Sequence, residues 1–301
     1  VQTFLTYILR SCLPMKILPS IGKYQMLKQR IFTAIILVAL LIGMLFSLSS
    51  FFFSLAIVPV VVLAGWEWTH LMKMSSKAQR LKFVAILILL LIISGIGIGM
   101  GDSVRQHLAY GILLIASALW IVIFCLIFIY PSGTRFWSKT TYLSALGLLI
   151  LLFTWIAIVY IQSLPSGRNL LLAAFAIIAL SDVGGFIFGK LLGRHKLAPM
   201  ISPGKTWEGF LGALILELLL VVGLNSFGLF QLSVWELSAL VLIVALASVG
   251  GDLFESMVKR NIGVKDSGGL LPGHGGVLDR IDGMMSALPI YAVLLPFAQT
   301  A

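Results

Sequence analysis

Charge is what this sequence has least of. Only 11% of its 301 residues are Asp, Glu, Lys or Arg, where a water-soluble domain carries roughly a quarter. So few charges cannot coat a globular surface, and an ordinary soluble domain is excluded. Cysteine is nearly absent. Cys12 and Cys125 build no disulfide framework, and both read as apolar filler. Acids number only 11, so the position of each is informative. What the chain has instead is apolar residues, 60% of the total, with a mean hydropathy of +1.09. It reads as an all-α, polytopic integral membrane protein.

Nine apolar runs can cross a hydrocarbon core of roughly 30 Å as helices. They are Ile31–Leu48, Phe51–Trp68, Phe83–Ile98, Leu108–Tyr130, Thr141–Ile161, Leu170–Phe188, Phe210–Leu224, Leu237–Val249 and Met284–Phe297. The eighth is short and is expected to continue as helix through Gly250, Gly251 and Asp252. The net charge of +10 invites a nucleic-acid reading, but its distribution opposes one. With the N-terminus inside, every lysine and arginine except Arg105 and Arg168 falls on the cytoplasmic side. That is the positive-inside signature of an N-in, C-out topology, and it suits anionic lipid on the same leaflet. Residues 1–25 are expected to be an N-terminal extension ahead of a true start at Met26. The alternative is an interfacial segment carrying Arg10, Lys16 and Lys23. Residues 26–165 read as a transmembrane scaffold with few polar groups. Residues 166–301 hold nearly all the unusual polarity, including a loop region at 252–283. Trp66, Trp68, Tyr130, Trp137, Trp207 and Trp235 sit at run ends and read as interfacial anchors.

Seven acids cluster at the expected cytoplasmic ends of the last four runs: Asp182, Glu208, Asp252, Glu255, Asp266, Asp279 and Asp282. Ionisable groups beside hydrocarbon are costly and usually functional. Three segments carry them. From Ser256 to Asp282 the chain packs four cations, three carboxylates, His274 and six glycines between two apolar runs. If the eighth run continues as a helix, Asp252, Glu255, Ser256 and Lys259 share one face. Asp252 and Asp279 can then meet from neighbouring helix ends. Paired carboxylates together with phosphate oxygens suit Mg²⁺, and the glycines allow close backbone approach to phosphates. The plainer alternative is a juxtamembrane loop with Asp279 as a helix cap. The second segment, Ser181–Pro199, places Asp182 within or near the membrane, where a cation or metal is its expected partner. The third is Ile201-Ser-Pro-Gly-Lys-Thr-Trp-Glu-Gly209. Its Gly-Lys-Thr is no P-loop, because Pro199 stands where that motif needs glycine. Ser202 and Lys205 are expected to hold phosphate; the plainer alternative, a helix N-terminus capped by Ser202 with Pro203 at its first position, is compatible with this, since such an N-terminus favours an anion. Glu217, in mid-run, is a structural or substrate-groove carboxylate.

The segment from Ser256 resembles the signature of the phosphatidate cytidylyltransferase family: S-x-x-K-R, four residues, K-D-x-small-x-x-aliphatic-P-x-H-G-G-aliphatic-x-D-R-x-D. Every specified position is met. The D-x-G-G at Asp182 and the S-P-x-K-T-x-E-G block at Ser202 resemble further family blocks, with Gly204 standing where many relatives have lysine. The resemblance implies cytidylyl transfer from CTP to phosphatidate, giving CDP-diacylglycerol and pyrophosphate, at the cytoplasmic ends of the C-terminal helices. It implies catalytic roles for Asp252, Asp279, Asp282, Lys259 and His274. Phosphate contacts would come from Ser202, Lys205, Arg260, Lys265, Arg280, Gly275 and Gly276. Mg²⁺ would sit on Asp252 and Asp279, with Asp182 as a further ligand and a second cation beside it. A homodimer in the cytoplasmic (inner) membrane is implied, with no nucleic-acid partner. Two rivals are weighed. A transporter would use Asp182 and Glu217 as an ion path, but no inverted repeat is present. CDP-alcohol phosphotransferases carry D-G-x-x-A-R, whereas Asp282-Gly283 is followed here by Met-Met-Ser.

Overall fold

The computed structural model describes residues 35–100, 103–228, 230, 232–270 and 275–299. The readings made for residues 1–25, for Met26, Cys12 and His274 lie outside these residues. Among the described residues there are ten helices: α1 (Ile35–Ser47), α2 (Ser50–Leu71), α3 (Lys77–Ile98), α4 (Gln106–Ile129), the single turn α5 (Thr134–Trp137), α6 (Thr140–Ser163), α7 (Gly167–Leu192), α8 (Trp207–Ser226), α9 (Val234–Asn261) and α10 (Leu278–Gln299). Eight of them are long and apolar enough to cross a membrane. The described part of the first apolar run, α1, is shorter. The chain is an all-α polytopic membrane protein.

α6 is the axis of the bundle. It packs against α2, α3, α4, α7 and α10 and is apolar on all sides, as an interior helix must be. Most of its length from Ile150 to Ile161 is buried. α10 is the second interior helix, touching α9, α6, α4, α7 and α2. The outer helices keep rows of exposed Leu, Ile and Phe, the expected result when lipid is the solvent.

α9 runs unbroken through Gly250, Gly251 and Asp252 to Asn261, so the expected continuation of the eighth run holds. Its start is fixed by a capping box between Ser233 and Glu236. The tryptophan reading fails at two positions. Trp68 is fully buried, donates from Nε1 to the Leu143 carbonyl at 2.9 Å and stacks on Phe254. Trp137 is buried as well. The partnered indole N–H of Trp68 lets that large ring sit in the bundle interior, whereas the Trp137 N–H is buried without a hydrogen-bond partner among the described residues; run-end position alone reveals neither.

The expected helix cap at Ser202 is also overturned. Residues Ser202–Thr206 form strand β2, antiparallel to β1 (Lys196–Ala198). Thr206 is the cap of α8, its hydroxyl accepting the Gly209 N–H at 3.2 Å. The hairpin turns at Pro199 and Met200, so Lys205 rides on a strand beside the bundle.

Candidate active site

The charged ends of α2, α7, α9 and the start of α10 gather on one face of the bundle. Arg105 and Arg168 lie on the opposite face, donating to the carbonyls of Gly97 and Leu48. This separation matches the charge asymmetry read from the sequence.

Two carboxylate groupings stand side by side. In the first, Asp252 pairs with Lys205 Nζ at 2.6 Å and accepts from the Ser256 hydroxyl at 3.1 Å. Asp182 and Asp282 are its electrostatic neighbours, with Lys205 and Arg280 as the cations nearest Asp182. The crossing of α9 and α10 sets this up. A Cβ at Gly251 would overlap the Ser286 hydroxyl and the Asp282 carbonyl. A Cβ at Gly283 would overlap the Ser248 hydroxyl. Two glycines thus let the helices touch where their acids sit.

In the second grouping, Lys259 Nζ bridges Glu255 at 2.5 Å and Asp279 at 2.7 Å, with all three side chains buried or nearly so. Asp279 also accepts the Ser267 N–H at 3.1 Å and the Gly276 N–H at 2.8 Å. Asp279 therefore ties the two ends of the glycine-rich loop together. Gly275 has φ +87°, a left-handed conformation that glycine adopts without cost.

Most of the residues named from the sequence come together here, though not in the arrangement expected. The acid of α10 that neighbours Asp252 is Asp282 rather than Asp279, because Asp279 is turned into the loop by Lys259 and the two amides. Lys259 meets carboxylates rather than open space. Arg260 donates to the carbonyls of Ile201 and Val264, both at 3.1 Å, so it fastens the hairpin turn to the end of α9. Lys265 and Arg280 are exposed. Among the described residues, no three His, Cys, Asp or Glu side chains converge closely enough to hold a metal ion. The donor chemistry still fits a hard divalent cation: Asp182, Asp252 and Asp282 share one neighbourhood, and carboxylate oxygens are its preferred ligands.

Sequence reasoning missed three features. Glu208 clasps the hairpin, accepting the backbone N–H groups of Arg194 and His195 and pairing with His195 Nδ1 at 2.5 Å. Glu67, in the half read as scaffold, reaches the loop and accepts the Leu278 N–H at 2.8 Å. It was findable as the sole acid in the second apolar run. Third, an apolar groove of about 780 Å³ opens beside the hairpin, between α4, α8 and α9. Phe128, Met200, Ile201, Trp207, Phe210 and Leu253 are among its walls.

Residues 28–298 match the profile of the cytidylyltransferase family. The chain belongs to that family. It is 38% identical to the phosphatidate cytidylyltransferase of Pseudomonas aeruginosa over 271 residues, covering 90% of this chain and 97% of the relative. With the Haemophilus influenzae phosphatidate cytidylyltransferase it shares 37% over 284 residues, 89% of this chain and 98% of the relative. A phosphatidate cytidylyltransferase of Staphylococcus aureus is 46% identical over 136 residues, 45% of this chain and 52% of the relative. As a cytidylyltransferase family member the chain is a membrane-bound nucleotidyltransferase, and the charged face of the bundle is its candidate active site.

Proposed function

We propose that this protein transfers the cytidylyl group of CTP to phosphatidate, forming CDP-diacylglycerol and pyrophosphate for phospholipid synthesis. The observation that carries the reading is the adjacency of two unlike environments. Lys205 and the carboxylate cluster stand beside an apolar groove walled by Phe128, Met200, Trp207 and Phe210. A water-soluble triphosphate and a lipid phosphate can meet there, with the acyl chains remaining in the groove.

The lipid phosphate attacks the α-phosphorus of CTP in line, and pyrophosphate leaves. Two anions must approach, so the protein's task is charge neutralisation and positioning. A phosphomonoester has a second pKa of about 6, so the nucleophile needs no general base at neutral pH. Lys205, Lys265 and Arg280 supply positive charge to the phosphates. Ser202 on β2 and the backbone of Gly275 offer further contacts, while the Gly276 N–H, expected from the sequence pattern to do the same, is given to Asp279. Arg260 holds the hairpin that presents Lys205. Lys259 orients Asp279, which closes the loop. Asp252, Asp282 and Asp182 would hold Mg²⁺ and a second cation, which would neutralise triphosphate charge; Asp279, engaged by Lys259 and two loop amides, would act through the loop. His274 is assigned to the pyrophosphate from the sequence pattern. On this reading the enzyme works as a homodimer in the inner membrane, with this face to the cytoplasm.

The test is incorporation of radiolabelled CTP into organic-extractable lipid by purified protein with phosphatidate, with and without Mg²⁺. Mg²⁺-dependent label that is lost in Asp279→Asn supports the reading. Correctly inserted protein that incorporates no label refutes it, and uptake into sealed vesicles would then test the transporter alternative.

A further inference from the structure

Glu67 belongs to α2, some 200 residues from the loop it touches. It is 2% exposed. Its Oε2 accepts the Leu278 N–H at 2.8 Å and the Ser267 hydroxyl at 3.3 Å. Leu278 is the first residue of α10, where backbone N–H groups have no partner within the helix and favour an acidic group. Ser267 lies on the other side of the loop. Glu67 therefore grips both ends of the loop at once.

The fit is tight. A Cβ at Gly276 would overlap Ser267 Oγ and Glu67 Oε2, and one at Gly268 would overlap Glu67 Oε1. Two of the loop's glycines are thus required by the Glu67 side chain. The end of α2 is itself braced: Arg80 contacts His70 at 2.8 Å and lies over the Trp66 ring. The N–H groups of Ser267 and Gly276 in turn donate to Asp279. Glu67 and Asp279 hold the same two stretches of the loop, so a shift of Glu67 moves both backbone donors of Asp279.

We propose that Glu67 is a positioning residue for nucleotidyl transfer, setting the loop geometry that aims Asp279. This rests on the reading of the site as a cytidylyltransferase centre. Glu67 touches no reacting atom; its effect passes through Ser267, Gly276 and Leu278.

The experiment uses the full chain in detergent with three variants, Glu67→Ala, Glu67→Gln and Glu67→Asp. Two readouts are taken: kcat and KM for CTP, and hydrogen exchange of the loop amides. Losing an outer partner of a site residue typically costs about 10–100-fold in activity. Glu67→Ala is expected to lose that much in kcat, with KM for CTP changing by less than about threefold. Exchange should rise at Ser267, Gly276 and Leu278 and stay unchanged in α6. Glu67→Gln keeps an acceptor of the same length and should recover most of kcat, whereas the shorter Glu67→Asp should not. Unchanged loop exchange in Glu67→Ala overturns the proposal. So does exchange raised across all helices with kcat per folded molecule intact. A wild type that incorporates no CTP, yet shows the local exchange effect on substitution, would sink the functional reading and leave Glu67's hold on the loop standing.

Discussion

Lys259 offers the sharpest test of how the site is held together. Its ammonium group, 8% exposed, sits between Glu255 at 0% and Asp279 at 8%. Lys259→Met keeps the stem and removes the charge, leaving two carboxyl groups facing each other out of water. Removing one partner of a buried ion pair costs about 3–5 kcal/mol. The upper part of that range is expected, because Lys259 donates to Glu255 Oε2 while the buried Oε1 has no hydrogen-bond partner among the described residues. Adding Glu255→Gln removes one of the stranded carboxyls, while Asp279 keeps its two amide donors. The double variant should therefore recover about half of the lost stability, a non-additivity expected of contacting residues. Activity should not return, because Asp279 has lost the lysine that orients it. Thermal unfolding in detergent, followed by intrinsic fluorescence, measures the first effect, and CTP incorporation measures the second. A Lys259→Met protein that melts like wild type would falsify this account of the triad. Simple addition of the two single losses in the double variant would do the same.

Three more expectations follow from the geometry. Gly251→Ala drives a methyl group into the Asp282 carbonyl and the Ser286 hydroxyl. About 1–3 kcal/mol of overpacking strain is expected, with loss of turnover as Asp252 and Asp282 separate. Gly204→Ala meets nothing within 4 Å and should be indistinguishable from wild type in both melting and turnover. Glu208→Ala releases the hairpin from Arg194 and His195, so KM for CTP should rise as Lys205 loses its fixed place, while the melting of the bundle stays unchanged. An unaltered KM would show that the hairpin holds Lys205 without the clasp.

Much of this protein is legible along the chain. Nine long apolar runs in a charge-poor sequence leave only a helical bundle in lipid, because an open backbone there finds no water to bond. The clustering of seven acids at one set of run ends marks the candidate site, since charges beside hydrocarbon are costly and usually functional. The loop signature carries the chemistry class. The one β-hairpin among the described residues was not legible. Ser202-Pro-Gly-Lys-Thr206 has little strand propensity, and it becomes a strand because Lys196–Ala198 supplies its hydrogen bonds and Glu208 holds its base.

Tertiary structure alone decided who partners whom. Spacing along α9 puts Asp252, Glu255 and Lys259 on one face, but it does not say that Lys205 takes Asp252 while Lys259 takes Asp279. That division follows from the glycine-lined crossing of α9 and α10, which sets Asp282 beside Asp252 and turns Asp279 toward the loop. Nor does local pattern join Glu67 to Leu278 across 211 positions. Composition and periodicity determine which segments must leave water, because solvation acts on each residue where it stands. Ion pairing and loop closure depend on distances between helices, which exist only once those helices have packed.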